Sequence, residues 1–260
     1  MGILNLTPDS FSDGGDFFSI ESALNQVENF IINGVDVIDI GAQSTRPGAE
    51  EIGANAELER LLPILKEIRL RYPSILISID TFNSKVAQEA IKYGVNWIND
   101  VTGGRRDSKI LDLAAEVNCP FIITHSRGNS KNMNKLNHYD DLIDDLIREL
   151  NHLSSKALER NIPKENIILD PGLGFSKNTI QNVSILKNLD EVKKLGYPVL
   201  IGASRKRFIG DILNEPNPKD RDIGSLAVSC FCSQAKVDIV RVHNVQLNSQ
   251  ILKVADSINR

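Results

Sequence analysis

Asp80, Asn99, Asp170 and Lys206 bring together two carboxylates, an amide and an ammonium. That set suits a flat heterocycle with alternating donors and acceptors, because a carboxylate accepts two parallel N–H bonds from an amino-pyrimidine edge as it does from a guanidinium. Such charge-assisted bonds contribute roughly 1.5–3 kcal/mol each. Arg46, Arg241 and His243 form a second, cationic set suited to phosphate oxygens. Asn5 offers one amide oxygen, which fits a hard Mg²⁺ ion that keeps most of its waters and takes further ligands from substrate phosphates. No side-chain nucleophile stands out. Cys119, Cys230 and Cys232 form no Cys-x-x-Cys pair and none ends an apolar run beside a base, and Ser204 has no evident triad.

These groups hang on short runs rich in Ile and Val, alternating with segments of helical period. The strand candidates are residues 2–6, 35–42, 75–81, 95–101, 120–126, 166–172, 198–204 and 237–243. Eight such runs in 260 residues leave about 30 residues per βα unit, the size of a right-handed crossover. The spacing predicts an α/β chain folded as one (β/α)8 TIM barrel, a single domain over residues 1–260. Segment 20–33 is read as a helix with Ala23, Leu24, Val27, Phe30 and Ile31 inward and Gly34 after its end. Segment 84–93, capped by Asn83 and stopped by Gly94, buries Val86, Ala87, Ala90 and Ile91. Segment 179–195 is expected to bury Ile180, Val183, Leu186, Leu189 and Val192 before Gly196.

Reading only the strand ends, where a parallel barrel gathers its chemistry, gives Asn5, Asp39, Asp80, Asn99, His125, Asp170, Ser204 with Lys206, and Arg241 with His243. Every strand finishes on a group able to hydrogen-bond, bind metal or carry charge. The polar, glycine-bearing stretches 7–17 and 43–53 read as mobile lids. The first strand opens the chain, so almost nothing precedes it to close the barrel floor, as in a chain whose start is trimmed or late.

A net charge of −4 and a pI near 5.7 argue against nucleic acid as the main partner. No apolar run approaches the roughly 18 residues of a membrane span and no signal peptide is visible, so a cytoplasmic protein with reduced, buried thiols is expected. His138, His152 and the aspartates at 140, 141, 144 and 145 read as a solvated, charged helical region, and Trp97 as core. The run GLGFSK lacks the spacing of a P-loop.

Together the motifs resemble the dihydropteroate synthase family: MGILNLTPDSFSDGG, DIGAQSTRPGA, SIDT, NDVTGG, DPGLGFSK, GASRKRFIG and RVHNV occur in the family's order from Met1 to His243. Each is short, but seven in register are specific. The resemblance implies condensation of a dihydropterin methyl pyrophosphate with p-aminobenzoate, using Mg²⁺, in a homodimer. It implies that Asp80, Asn99, Asp170, Phe175 and Lys206 hold the pterin, and that Thr45, Arg46, Arg241 and His243 hold the pyrophosphate. Phe11, Thr45, Pro47 and Ser204 would shape the p-aminobenzoate site. Asp13 would face the reacting carbon, with Lys206 and Arg46 as its catalytic companions, and Asp39 would support the loops.

Two departures stand out. Thr124, His125 and Ser126 stand where the family has Met-His-Met, and Ala42-Gln43 replaces Gly-Glu. The first motivates a rival reading as a non-catalytic pterin-binding paralogue. A pterin-dependent methyltransferase would share the Asp and Asn set without needing the SRKR and RVH cations. A Schiff-base aldolase would use Lys206, although Arg205 and Arg207 on either side favour an anion-facing cationic loop.

Overall fold

The computed structural model describes residues 1–7, 16–44 and 48–259, the first four residues of the second stretch by backbone only. The apolar runs form β1 (Gly2–Asn5), β2 (Val37–Gly41), β3 (Leu76–Asp80), β4 (Trp97–Asp100), β5 (Phe121–Thr124), β6 (Ile167–Asp170), β7 (Leu200–Ile201) and β8 (Ile239–Val240). Strands β1 to β6 pair in sequence order, all parallel, and β7 pairs in parallel with β8. Single bridges, Leu169 to Val199 and Gly2 to Val242, join the two sheets at both edges. The eight strands therefore follow one another round a ring, as the alternation of strand and helix predicts.

The helices are α1 (Asp16–Ile32), α2 (Ala54–Arg71), α3 (Ser84–Lys92), α4 (Lys109–Glu116), α5 (Leu142–Glu159), α6 (Thr179–Lys187), α7 (Leu189–Lys193), α8 (Arg207–Leu213), α9 (Asp222–Gln234) and α10 (Val245–Asn259). Ala23, Leu24, Val27 and Phe30 of α1 are buried as their spacing requires, and Gly34 has the positive φ of a residue just past a helix end. Asn83 caps α3 by accepting from Lys85 N at 3.0 Å. The expected helix over 179–195 is broken at Asn188, which satisfies its own amide on Ser184 O. The break resets the buried face: Ile185 joins Leu186, Leu189 and Val192 inside, whereas Ile180 stands 81% exposed.

Side chains alternate across each strand, so every second residue faces the barrel axis. At the strand starts the inward set is Met1, Val37, Ile122, Ile168 and Leu200, packed as one apolar cluster with the half-buried Trp97 and Ile239 against it. The expectation of an open floor is not met, because Met1 is itself 9% exposed and fills it. Two residues further on, the same parity turns Asp39, Asn99, Thr124, Asp170 and Arg241 inward above that floor. The opposite parity carries Ile38, Ile40, Ile98, Phe121, Ile123, Ile167 and Leu169 into the larger core between strands and helices.

Candidate active site

The centre of the barrel mouth is a buried ionic network. Arg241 Nε donates to Asp39 Oδ2 at 2.6 Å and its Nη2 donates to Asp80 Oδ2 at 2.7 Å. Asn99 Nδ2 donates to the same Asp39 oxygen at 3.0 Å. Burial pushes the Asp80 carboxyl up to about 7, against the pull of Arg241. Sequence reasoning separated Arg241 and Asp80 into two zones; the structure joins them through one guanidinium, with Asp39 as the strut.

Asp170 and Lys206 form the adjacent wall. Asp170 Oδ1 accepts from Gly172 N at 2.8 Å, and burial raises its carboxyl while Lys206 works against the rise. Lys206 donates to Leu173 O and holds its ammonium 4.5 Å from the centre of the Phe175 ring. Burial lowers this lysine to about 8, against the pull of Asp170.

The backbone of Arg205 turns Lys206 inward: its φ of 59° is uncommon for a residue with a side chain. Arg205 is held there by a two-point pair with Asp222 at 2.7 and 2.8 Å and by its own N–H on Ser225 Oγ. Arg205 is thus committed to a helix, and Arg207 is exposed at the start of α8. The anion-facing row of three cations is corrected to one inward lysine.

Ser204 Oγ lies 2.9 Å from His243 Nδ1 and accepts from His243 N at 3.1 Å, bringing the ends of β7 and β8 together. Asn5 is half-buried at the end of β1, beside Gly41 in register. Phe11, Asp13, Thr45, Arg46 and Pro47 lie outside the described residues.

The flank of the second lid is tied down. Gln43 donates to the carbonyls of Ser44 and Glu50 and accepts from Ile52 N at 2.8 Å. A glutamate at this position has no N–H to give those carbonyls, so the amide suits this loop. Gly48 N donates to Ser130 O, and Ser130 Oγ donates to Ala49 O.

His125 is the strand-end residue that parity removes. It is fully buried on the helix side of β5, with Nε2 3.0 Å from Glu149 Oε2 on α5. Thr124 is the inward residue of that strand. Ser126 donates to Val101 O at 2.7 Å and receives Arg105 on both its carbonyl and its hydroxyl. It helps line a cavity of about 270 Å³ with Gln43, Phe82, Arg105, Arg127 and Phe175. The sequence reading missed Lys177, Glu149, Arg127 and Glu57, all buried or half-buried around the mouth; Lys177 was visible only as the last letter of DPGLGFSK.

With this geometry in hand, the chain compares directly with known proteins. A family model described as pterin binding enzyme matches residues 1–243. A dihydropteroate synthase from Synechocystis is 45% identical over 260 residues, covering 100% of this chain and 90% of that protein. The crystal structure of a Clostridium difficile dihydropteroate synthase in the presence of pteroic acid superposes with a TM-score of 0.93 at 39% identity, covering 100% of this chain and 96% of that one. A Xanthomonas albilineans dihydropteroate synthase with 4-aminobenzoic acid gives a TM-score of 0.93 at 36% identity, covering 99% and 92%.

Proposed function

The chain belongs to the dihydropteroate synthase family of pterin-binding enzymes, and from that premise we propose that it condenses a dihydropterin methyl pyrophosphate with p-aminobenzoate, releasing pyrophosphate and dihydropteroate. The observation that carries the reading is the set of buried Asn99 and Asp170 with half-buried Asp80 and Lys206 beside Phe175, gathered at one end of a parallel barrel. The carboxylates of Asp80 and Asp170 accept the pterin N–H groups, and Asn99 supplies an amide between them. The Lys206 ammonium borders the ring face next to Phe175.

The departing pyrophosphate is assigned to Thr45, Arg46, Arg241 and His243, and the p-aminobenzoate ring to Phe11, Thr45, Pro47 and Ser204. Asn5 fits Mg²⁺ as a single oxygen ligand: among the described residues no cluster of three His, Cys, Asp or Glu could hold a metal, so the ion would take its other ligands from substrate phosphates and water. When bound there it supplies charge neutralisation at the leaving group. The reaction follows an SN1-like course. The pterin shares the positive charge left on the methylene carbon, Asp13 stabilises that charge in a water-excluded site, and the aniline nitrogen attacks without a strong general base.

Pyrophosphate release measured with both substrates, with and without a chelator, tests this function. Release requiring both substrates supports it, and a chain that binds pterin without turnover would instead be the non-catalytic paralogue. No helix among the described residues is long and apolar enough to cross a membrane. A homodimer is further proposed through α9 and α10, which expose Ile223, Phe231, Leu247, Val254 and Ile258; a monomer by sedimentation at micromolar concentration would dismiss it.

A further inference from the structure

A buried ammonium with no carboxylate in contact stands behind the pterin wall. Lys177 is 9% exposed, and among the described residues it forms no ion pair within 4.0 Å. Its Nζ donates to Gly172 O at 3.0 Å, to Phe175 O at 2.9 Å and to His125 Nδ1 at 2.9 Å. Burial lowers Lys177 to about 7, against the pull of Asp170; in its ammonium form Nζ can only donate, so His125 Nδ1 then accepts and the ring proton sits on Nε2, facing Glu149. Burial, together with the Lys177 charge, holds His125 down at about 4, which keeps that ring neutral.

The arrangement is braced from outside. The guanidinium of Arg127 holds the Glu149 carboxylate, with Nε at 3.1 Å, and stacks 3.9 Å over the Tyr139 ring. Tyr139 donates its hydroxyl to Ser176 O at 3.0 Å. Ser176 has a left-handed backbone, φ 52°, and exchanges hydrogen bonds with the Arg127 main chain: Arg127 N to Ser176 Oγ at 3.0 Å and Ser176 Oγ to Arg127 O at 2.6 Å. The turn admits no side chain at Gly172, whose Cβ would meet His125 O at 1.9 Å.

Burying a charge without a counter-charge is costly unless its hydrogen bonds are met. What this one secures is the curl of residues 172–175 around Nζ. The ends of that curl face the pterin site: Gly172 N holds Asp170 Oδ1, and the Phe175 ring meets the Lys206 ammonium. We infer that Lys177 is a positioning residue for the pterin wall, setting Phe175 and Asp170 from behind through the 172–175 turn without touching substrate itself. The inference rests on the dihydropteroate synthase reading.

Steady-state pyrophosphate release by the full chain tests it with Lys177→Met, Phe175→Ala and the double variant. Lys177→Met should raise KM for the pterin pyrophosphate about tenfold and leave KM for p-aminobenzoate within about twofold, because only one substrate meets the displaced wall. In the Phe175→Ala background the same change should add clearly less than that tenfold, because only its effect through Asp170 remains and residues acting through one element are not additive. A folded Lys177→Met enzyme with unchanged pterin KM, with both KM values raised alike, or with effects that simply multiply would overturn the inference. If Lys177→Met does not fold, Glu149→Gln, which loosens His125 from the helix side, takes its place. A rise in pterin KM alone supports the inference and no rise overturns it. An inert wild-type chain overturns the functional reading and this inference with it, whereas an active wild type with indifferent variants overturns the inference alone.

Discussion

Glu57, in the first turn of α2, is 2% exposed, and its Oε1 has no hydrogen-bond partner among the described residues. Burial pushes its carboxyl up to about 7, although the Thr81 side chain donates to it and pulls the other way. Between 4.5 and about 7 the folded chain therefore holds a proton that the unfolded chain has released, and stability falls as pH rises through that window. Above it the ionised group costs the fold about 3 kcal/mol, at roughly 1.4 kcal/mol for each tenfold change in proton affinity. That is a large share of a domain stability of about 5–15 kcal/mol. Glu57→Gln cannot ionise. It carries a fixed penalty for a buried amide, but that penalty does not change with pH. Urea unfolding followed by circular dichroism from pH 5 to 8.5 should show the variant gaining about 2–3 kcal/mol on the wild type across the range. Glu57 also raises the Asp80 carboxyl, so relief of that repulsion adds in the same direction. A stability difference flat to within about 0.5 kcal/mol over that range would refute an ionisation held back by burial.

Arg241→Met leaves Asp39 and Asp80 buried without their shared cation, and should cost about 3–5 kcal/mol near neutral pH. Asp39→Asn in the same chain should recover part of that loss in thermal denaturation, and no recovery would mean the guanidinium is not balancing the pair. Asp13→Asn should lower kcat by roughly 100-fold while altering pterin pyrophosphate binding far less, on the scale of one preorganised electrostatic contact. A large rise in that binding constant with kcat intact would sink the assignment. For the pterin substrate, kcat/KM should rise with pH through about 7 as Asp80 becomes an acceptor, then fall through about 8 as Lys206 loses its proton. A profile flat from slightly acidic to alkaline pH would contradict both roles.

The barrel and most of its polar mouth were legible in the order of residues alone. Near-continuous Ile and Val runs only suit strands covered by helices, and an alternation of two then carries Asp39, Asn99 and Asp170 to one side. Parity was also the first thing the one-dimensional reading lost. A polar residue at a strand end looks the same whether it faces the axis or the helices, and His125 faces Glu149 on α5. The partners were settled by folding. Arg241 meets Asp39 and Asp80 across 202 and 161 residues of chain, distances at which no local spacing carries information. Folding also decided which cation of Arg205, Lys206 and Arg207 turns inward, because a left-handed backbone at Arg205 is set by Asp222 and Ser225 on a later helix. Lys177 shows the same limit: a lysine reads as surface until the fold closes two loops around it and leaves its ammonium facing carbonyls.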